Sequence, residues 1–283
     1  MKLLRYGAPE KEKPGVALPN GKRIDISEFV ADVNGALLGN LDRLAIWVNA
    51  NQNSAPAISL NERLGPPITG VSKLIGVGLN YAQHATEAGM TLPTEPLIFF
   101  KSTTAITGPY DNVIIPKGAM KVDWEVELAF VIGKKAQYVS REQAMDFVAG
   151  YLIHNDISER EYQFERAGQW VKGKSCDTFA PLGPYLVTKD EIGDPHRLNL
   201  WLKVNGELVQ NSNTADLVFS IPEIVANISQ YMTLLPGDII STGTPFGVGF
   251  GLQPPRYLKA GDVMELGVDG LGMQRQLLVS AVH

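Results

Sequence analysis

Cysteine is nearly missing: Cys176 is the single one in a chain of 283 residues. That excludes an intramolecular disulfide framework and fits a reducing compartment. No run approaches the roughly 18 apolar residues of a membrane span. The opening MKLLRYGAPEKEKPG turns charged too early for the apolar core of a secretory signal. A cytoplasmic protein with no membrane partner is expected. Positive charge is also scarce, with 25 Lys+Arg against 30 Asp+Glu, a formal net charge of −5 and no Lys/Arg block. The electrostatic footprint of nucleic-acid binding is therefore missing. The four histidines, His84, His154, His196 and His283, form no HExxH or comparable spacing, which argues against zinc. GVGLN falls short of the dinucleotide fingerprint, and no GxxxxGK[ST] phosphate loop is present.

What remains is an ordinary soluble composition, 45% hydrophobic and 19% charged. Residues 1–70 read as a small N-terminal domain. In it GVALPNGKRIDIS predicts two strands around the Asn20-Gly21 turn, AIWVNANQN is more helical, and the Gly/Pro-rich NERLGPPITG serves as connector. Residues 71–283 form a larger part rich in strand-length segments: KLIGVGL, DNVIIP, VELAFVIG, GPYLVT, LNLWLKVNG, DIISTG and DVMELGV. Two helices are predicted. SREQAMDFVAGYLI opens on Ser140 and Gln143, which resemble a capping box, and SIPEIVANISQYMTLL has Pro222 near its first turn and Pro236-Gly237 as a stop. Regular strand–helix alternation is lacking, so the expected class is mostly β with peripheral helices rather than a doubly wound sheet.

The segment KVDWEVELAFVIG carries Asp123, Glu125 and Glu127 on one strand parity and Trp124, Val126 and Leu128 on the other. Residues two apart share a strand face, so this is either a solvated edge or a row of oxygen ligands. Downstream, GYLIHNDISERE places Asp156 at the end of an apolar run. Glu125, Glu127 and Asp156 can present three oxygens to a hard divalent cation, Mg²⁺, Mn²⁺ or Ca²⁺. His154, two residues before Asp156, reads as structural.

In GLNYAQHATEAG, His84 and Glu87 lie three apart, which on a short helix puts them on one face. Such a pair can draw a proton from water, although surface helices often carry the same spacing. Gly76, Gly78 and Gly89 would permit a mobile lid around them. GQWVKGKSCDTF supplies Lys172, read as a solubility residue, and Lys174, suited to stabilising charge on a reacting oxygen. In ISTGTPFGVGFG the hydroxyls of Thr242 and Thr244 and nearby backbone N–H groups can receive a carboxylate or phosphate. Cys176 reads as packing rather than nucleophile. Tyr162, Phe164 and Phe246 are candidate pocket aromatics with no local signal to separate pocket from core.

In their order, GVGLNYAQHATEAG, DWEVELAFVIGKKA, GYLIHNDISERE, WVKGKSCDTFAPLGPYLVT, LWLKVNGELVQ and GDIISTGTPFGVG resemble the fumarylacetoacetate hydrolase family over roughly residues 70–280. MKLLRYG, GKSCDTF and PPRYLKAGDVMELGVDGLGMQRQ look more narrowly like bacterial hydrolases of 2,4-diketo-3-deoxy-L-rhamnonate or L-fuconate. The resemblance implies a mixed β-sandwich roll, a homodimer and a divalent metal, Mg²⁺ first, on Glu125, Glu127 and Asp156. It also implies His84 with Glu87 as the water-activating pair on a segment that orders over ligand, Lys174 as the family lysine, and Thr244 on the substrate carboxylate. Asp123 has no assured family role. The implied partner is a small 2-keto acid, and the implied reaction is hydrolysis of its C3–C4 bond to pyruvate and an acid such as lactate. The same machinery also admits a 2-keto-3-deoxy acid dehydratase, a ureidoglycolate lyase or an oxaloacetate decarboxylase. A different class, a non-catalytic organic-acid-binding protein, would require a gap in the triad or at His84, and all are present.

Overall fold

The computed structural model describes residues 1–87, 89 and 91–281. His283, and Ala88 and Met90 within the expected lid, lie outside the described residues. A ten-stranded mixed sheet runs in the order Ala57–Ile58, Arg23–Asp25, Lys13–Ala17, Lys2–Tyr6, Leu186–Thr188, Val148–Asn155, Val126–Ile132, Ile239–Ser241, Leu74–Gly78 and Leu97–Lys101. A five-stranded sheet has the order Glu207–Asn213, Asn199–Val204, Val263–Val268, Gly272–Ser280 and Val113–Ile115. One apolar core joins the two: Leu128 and Phe130 of the first sheet cluster with Leu200, Leu202, Met264 and Leu266 of the second. The expectation of a mostly β chain with peripheral helices holds. No helix among the described residues is long and apolar enough to cross a membrane.

Local chemistry explains most elements. The Asn20-Gly21 turn, with Gly21 at φ +84°, links two antiparallel strands in the register Ala17↔Arg23, the left-handed geometry that favours glycine. The strands of residues 1–70 extend the large sheet, because Lys2–Tyr6 pairs antiparallel with Leu186–Thr188. A bidentate Arg63–Asp111 ion pair, 2.8 and 2.6 Å, also crosses the join near residue 70. The predicted second helix forms over Ile221–Tyr231, with a capping box at Ser220 and Glu223 and Pro222 in its first turn, but it ends at an extended Met232, short of the expected stop at Pro236-Gly237.

The other predicted helix is a correction. Residues 140–153 give a short 3₁₀ turn, Ala144–Phe147, and then the strand Val148–Asn155. A continuous apolar run reads alike as buried helix or buried strand. Here ladders to Val126–Ile132 on one side and Leu186–Thr188 on the other decide for strand. Ser140 opens a turn instead, its carbonyl accepting from the Gln143 N–H at 3.2 Å.

Candidate active site

The acidic segment begins as a short strand, Val122–Asp123, and resumes as Val126–Ile132. The ladder lapses at Trp124 and Glu125, so the three acidic side chains do not share one continuous face. All are buried, with Asp123 fully so, and the solvated-edge reading is excluded. Asp123 turns away to accept from Arg160 Nε at 2.9 Å and from the N–H groups of Trp124, Gly249 and Phe250. Glu125, Glu127 and Asp156 converge instead, each offering an oxygen within 4.8 Å of the others. Two sheet contacts set this geometry: the antiparallel register Glu127↔His154, and the Asp156 N–H donating to the Glu125 carbonyl at 2.9 Å.

Charge around the triad is nearly but not fully compensated. Lys101 Nζ lies 2.5 Å from Asp156 Oδ1 and donates to the Ile157 carbonyl at 3.0 Å. Lys174 Nζ bridges Glu125 Oε2 at 2.7 Å and Asp156 Oδ2 at 2.8 Å. Arg160 Nη2 lies 2.7 Å from Glu125 Oε1 and 2.8 Å from Asp123 Oδ2, in ion-pair contact but off the N–H axes that a linear hydrogen bond needs. Four buried carboxylates thus face three buried cations. Burial alone would push the Asp156 carboxyl up, but Lys101 and Lys174 outweigh it and hold the group well below the usual carboxylate range. Burial likewise opposes the Lys174 ammonium, and Asp156 and Glu125 reverse that to a net rise. Glu127 is the carboxylate with no cation against it; its Oε2 accepts from the Ser241 hydroxyl and from the Gly243 N–H at 3.0 Å. Burial, then the Asp156 and Glu125 charges, push its pKa well above normal. A buried, oxygen-only donor set left with one uncompensated negative charge fits a hard divalent cation.

His154 is structural. With Ser241 donating to Glu127, His154 Nδ1 carries the proton and donates to Ser241 Oγ at 2.7 Å. Burial lowers its pKa to about 3, so the ring stays neutral and props the serine that holds Glu127.

The cleft beside the triad is lined by His84, Thr244, Lys174 and Arg160 together with Glu125 and Glu127. His84 and Glu87 fall on the predicted short helix, Ala82–Glu87, with His84 Nδ1 3.4 Å from Glu87 Oε2. The Gly247 N–H donates to both Glu87 oxygens, at 3.0 and 3.2 Å, so a backbone group tethers the carboxylate behind the imidazole. Gly76 and Gly78 belong to the strand Leu74–Gly78, where an added Cβ would meet Phe99 at 2.2 Å and Trp170 at 2.7 Å. Ring packing rather than hinge freedom accounts for these two glycines. Thr244 Oγ1 donates to the Val126 carbonyl at 3.0 Å and accepts from Gln210 Nε2 at 2.9 Å. Thr242 is buried with its hydroxyl on the Leu128 carbonyl and takes no part in the cleft.

Lys172 is exposed, its Nζ donating to the Arg166 carbonyl at 2.9 Å. Cys176 is half-buried and its thiol is pushed up chiefly by burial, which makes it a poor nucleophile. Phe164 lines the cleft; Tyr162 and Phe246 do not. Sequence reasoning missed Lys101 and Arg160. Arg160 follows Asp156 by four residues, and that proximity was the available signal. Lys101 ends an ordinary strand, LIFFK, and gave none.

Known proteins resemble this chain in sequence and in fold. Residues 73–279 match the family described as fumarylacetoacetate (FAA) hydrolase C-terminal. A Burkholderia cenocepacia protein that carries only a provisional hydrolase name is 52% identical over 277 residues, covering 98% of each chain. The fumarylacetoacetate hydrolase of the psychrophile Exiguobacterium antarcticum superposes with a TM-score of 0.87 at 32% identity, over 99% of this chain and 100% of that one. A maleylpyruvate hydrolase from Sphingobium sp. SYK-6, solved with manganese(II) and pyruvate, gives a TM-score of 0.84 at 32% identity over 100% of both chains. With the fold and the acidic triad, these likenesses lead to one assignment: the chain belongs to the fumarylacetoacetate hydrolase family.

Proposed function

We propose that the protein is a metal-dependent hydrolase that cleaves the C3–C4 bond of a 2,4-dioxo acid to pyruvate and a carboxylic acid. The observation that carries this reading is the buried Glu125, Glu127 and Asp156 triad opening on the same cleft as the His84–Glu87 pair. The Sphingobium relative holding manganese and pyruvate supports it.

Glu125, Glu127 and Asp156 would hold the cation, Mg²⁺ or Mn²⁺, which would supply Lewis acidity favouring charge build-up on the 2-oxo acid. His84 takes a proton from water, with Glu87 orienting its ring and stabilising the resulting imidazolium. The water oxygen adds to C4, the C3–C4 bond breaks, and its electron pair passes to C3 as the pyruvate enolate. C4 departs as a carboxylic acid, and the enolate takes up a proton at C3. Lys174 stabilises negative charge on the reacting oxygens, and Thr244, its hydroxyl turned from the Val126 carbonyl, donates to the substrate carboxylate. The candidate substrate is 2,4-diketo-3-deoxy-L-rhamnonate or its L-fuconate counterpart, giving pyruvate and lactate. The working form is a homodimer in the cytoplasm, with residues 1–70 a small N-terminal domain against the catalytic part.

The test is product analysis with that substrate and Mg²⁺ or Mn²⁺. Equal amounts of pyruvate and lactate support the hydrolase. No cleavage, with CO₂ release from oxaloacetate or loss of water from a 2-keto-3-deoxy acid, would overturn it in favour of a lyase.

A further inference from the structure

Phe99, Phe164, Trp170 and Phe250 all line the cleft, and they form a continuous arc. Ring centroids are 5.6 Å apart for Phe99–Trp170, 5.8 Å for Trp170–Phe164 and 5.5 Å for Phe164–Phe250. Phe164, Trp170 and Phe250 are only half-buried, so they present apolar surface to whatever enters. Val77 and Leu79 continue the apolar lining. At the two ends of the arc stand cations: Lys174 Nζ lies 4.9 Å from the Phe99 centroid, and the Arg160 guanidinium carbon 5.9 Å from that of Phe250. Neither cation is free. Lys174 is held by Glu125 and Asp156, and Arg160 by Asp123 and Glu125. Gln163 is also committed, its Oε1 accepting from Arg160 Nη1 at 3.0 Å. Among the described lining residues, no unpaired lysine or arginine remains for a second anionic group on the substrate.

We infer that this aromatic arc selects 2,4-dioxo acids whose distal end is uncharged and apolar, a methyl, alkyl or aryl terminus, and rejects those ending in a second carboxylate. The inference rests on the hydrolase reading above and names its substrate class. An apolar terminus gains from leaving water against the ring faces. A carboxylate there would be stripped of water beside the negative faces of the rings with no counter-charge. A six-carbon 2,4-diketo acid whose last carbon is a methyl falls inside the class.

The experiment compares kcat/KM of the full chain, loaded with Mn²⁺, on a matched pair: 2,4-dioxoheptanoate and 2,4-dioxoheptanedioate. They have the same chain length and differ in a terminal methyl against a terminal carboxylate. The methyl-ended acid is expected to be favoured by about 100-fold. Trp170→Ala should erode that advantage by raising KM for the methyl-ended acid more than it lowers kcat. Phe164→Lys, at the half-buried middle of the arc, should narrow the ratio by about tenfold or more by improving turnover of the dicarboxylate. Equal turnover of the two acids, or preference for the dicarboxylate, would overturn the inference and leave the reaction assignment standing. Cleavage of neither, with metal bound, contradicts the hydrolase reading and the inference with it.

Discussion

The ammonium of Lys174 rests 2.7 Å from Glu125 Oε2, which ion-pairs the proposed charge-stabilising lysine with a proposed metal ligand. The same nitrogen holds Asp156 Oδ2 at 2.8 Å. A cation held by the triad would compete with Lys174 for two oxygens, leaving its ammonium to the reacting oxygens rather than to a second anionic group. Lys174→Met should affect metal binding and turnover in opposite senses. Calorimetric titration should find Mn²⁺ bound about tenfold or more tightly, because one buried positive charge is gone. Product formation should fall steeply. Weaker metal binding in Lys174→Met would contradict the competition.

Glu127 gives the metal-free protein a distinct pH response. Its folded pKa is raised, by burial first, so between the ordinary glutamate range and that raised value the native state binds more protons than the unfolded chain. Stability contributed by the protonated group is present at low pH and is lost as pH rises through this window. Glu127→Gln should remove that loss: metal-free Tm at pH 8 should exceed wild type, while the difference shrinks toward pH 4. Thermal scans of chelator-treated protein across this range check it, and the same variant should lose most of its Mn²⁺ affinity.

Lys101 is fully buried and its ammonium is disfavoured by burial before Asp156 partly restores it. Lys101→Met leaves Asp156 with one cation instead of two and should cost about 3–5 kcal/mol of metal-free stability. The double variant Lys101→Met/Asp156→Asn should recover most of that loss, since the stranded charge is then absent. Urea denaturation of the four species measures the coupling. An additive double variant would mean that Lys101 acts through packing.

His84 and Glu87 are proposed to work on water rather than on the cation. His84→Ala should lower kcat by about 10²–10⁴-fold while Mn²⁺ affinity stays within about threefold of wild type. Glu87→Gln keeps a group that can accept from the Gly247 N–H but removes the charge behind the imidazole, so it should lower kcat less than His84→Ala does. Pre-steady-state product formation with saturating metal separates the two. A large drop in metal affinity for either variant would move the pair into the metal shell.

The metal-binding candidates were legible because their chemistry is local: two glutamates two residues apart, and an aspartate ending an apolar run. Their strand parity was a poorer guide than their residue type, since the ladder breaks at Trp124–Glu125 and sends Asp123 to Arg160 instead. The short helix of His84 and Glu87 was readable from spacing, and the helix after Ser220 from Pro222 in its first turn. Residues 140–153 were not, because helix and buried strand write the same apolar run and only pairing to distant strands separates them. Lys101 reaches Asp156 across 55 positions of chain, a contact made by the sheet and visible in no window of sequence. The aromatic arc likewise gathers rings from residues 99, 164, 170 and 250, of which only Phe164 stood out in the sequence, with no local signal to separate pocket from core.

The central claim is that water attacks C4 of a 2,4-dioxo acid at a metal-dependent site. Single-turnover cleavage of 2,4-diketo-3-deoxy-L-rhamnonate in H₂¹⁸O, with and without Mn²⁺, tests it most directly by mass spectrometry of the acid product. The account predicts lactate carrying one ¹⁸O in its carboxylate, formed with metal and not after its removal. Unlabelled lactate, or products that retain the C3–C4 bond, would contradict it.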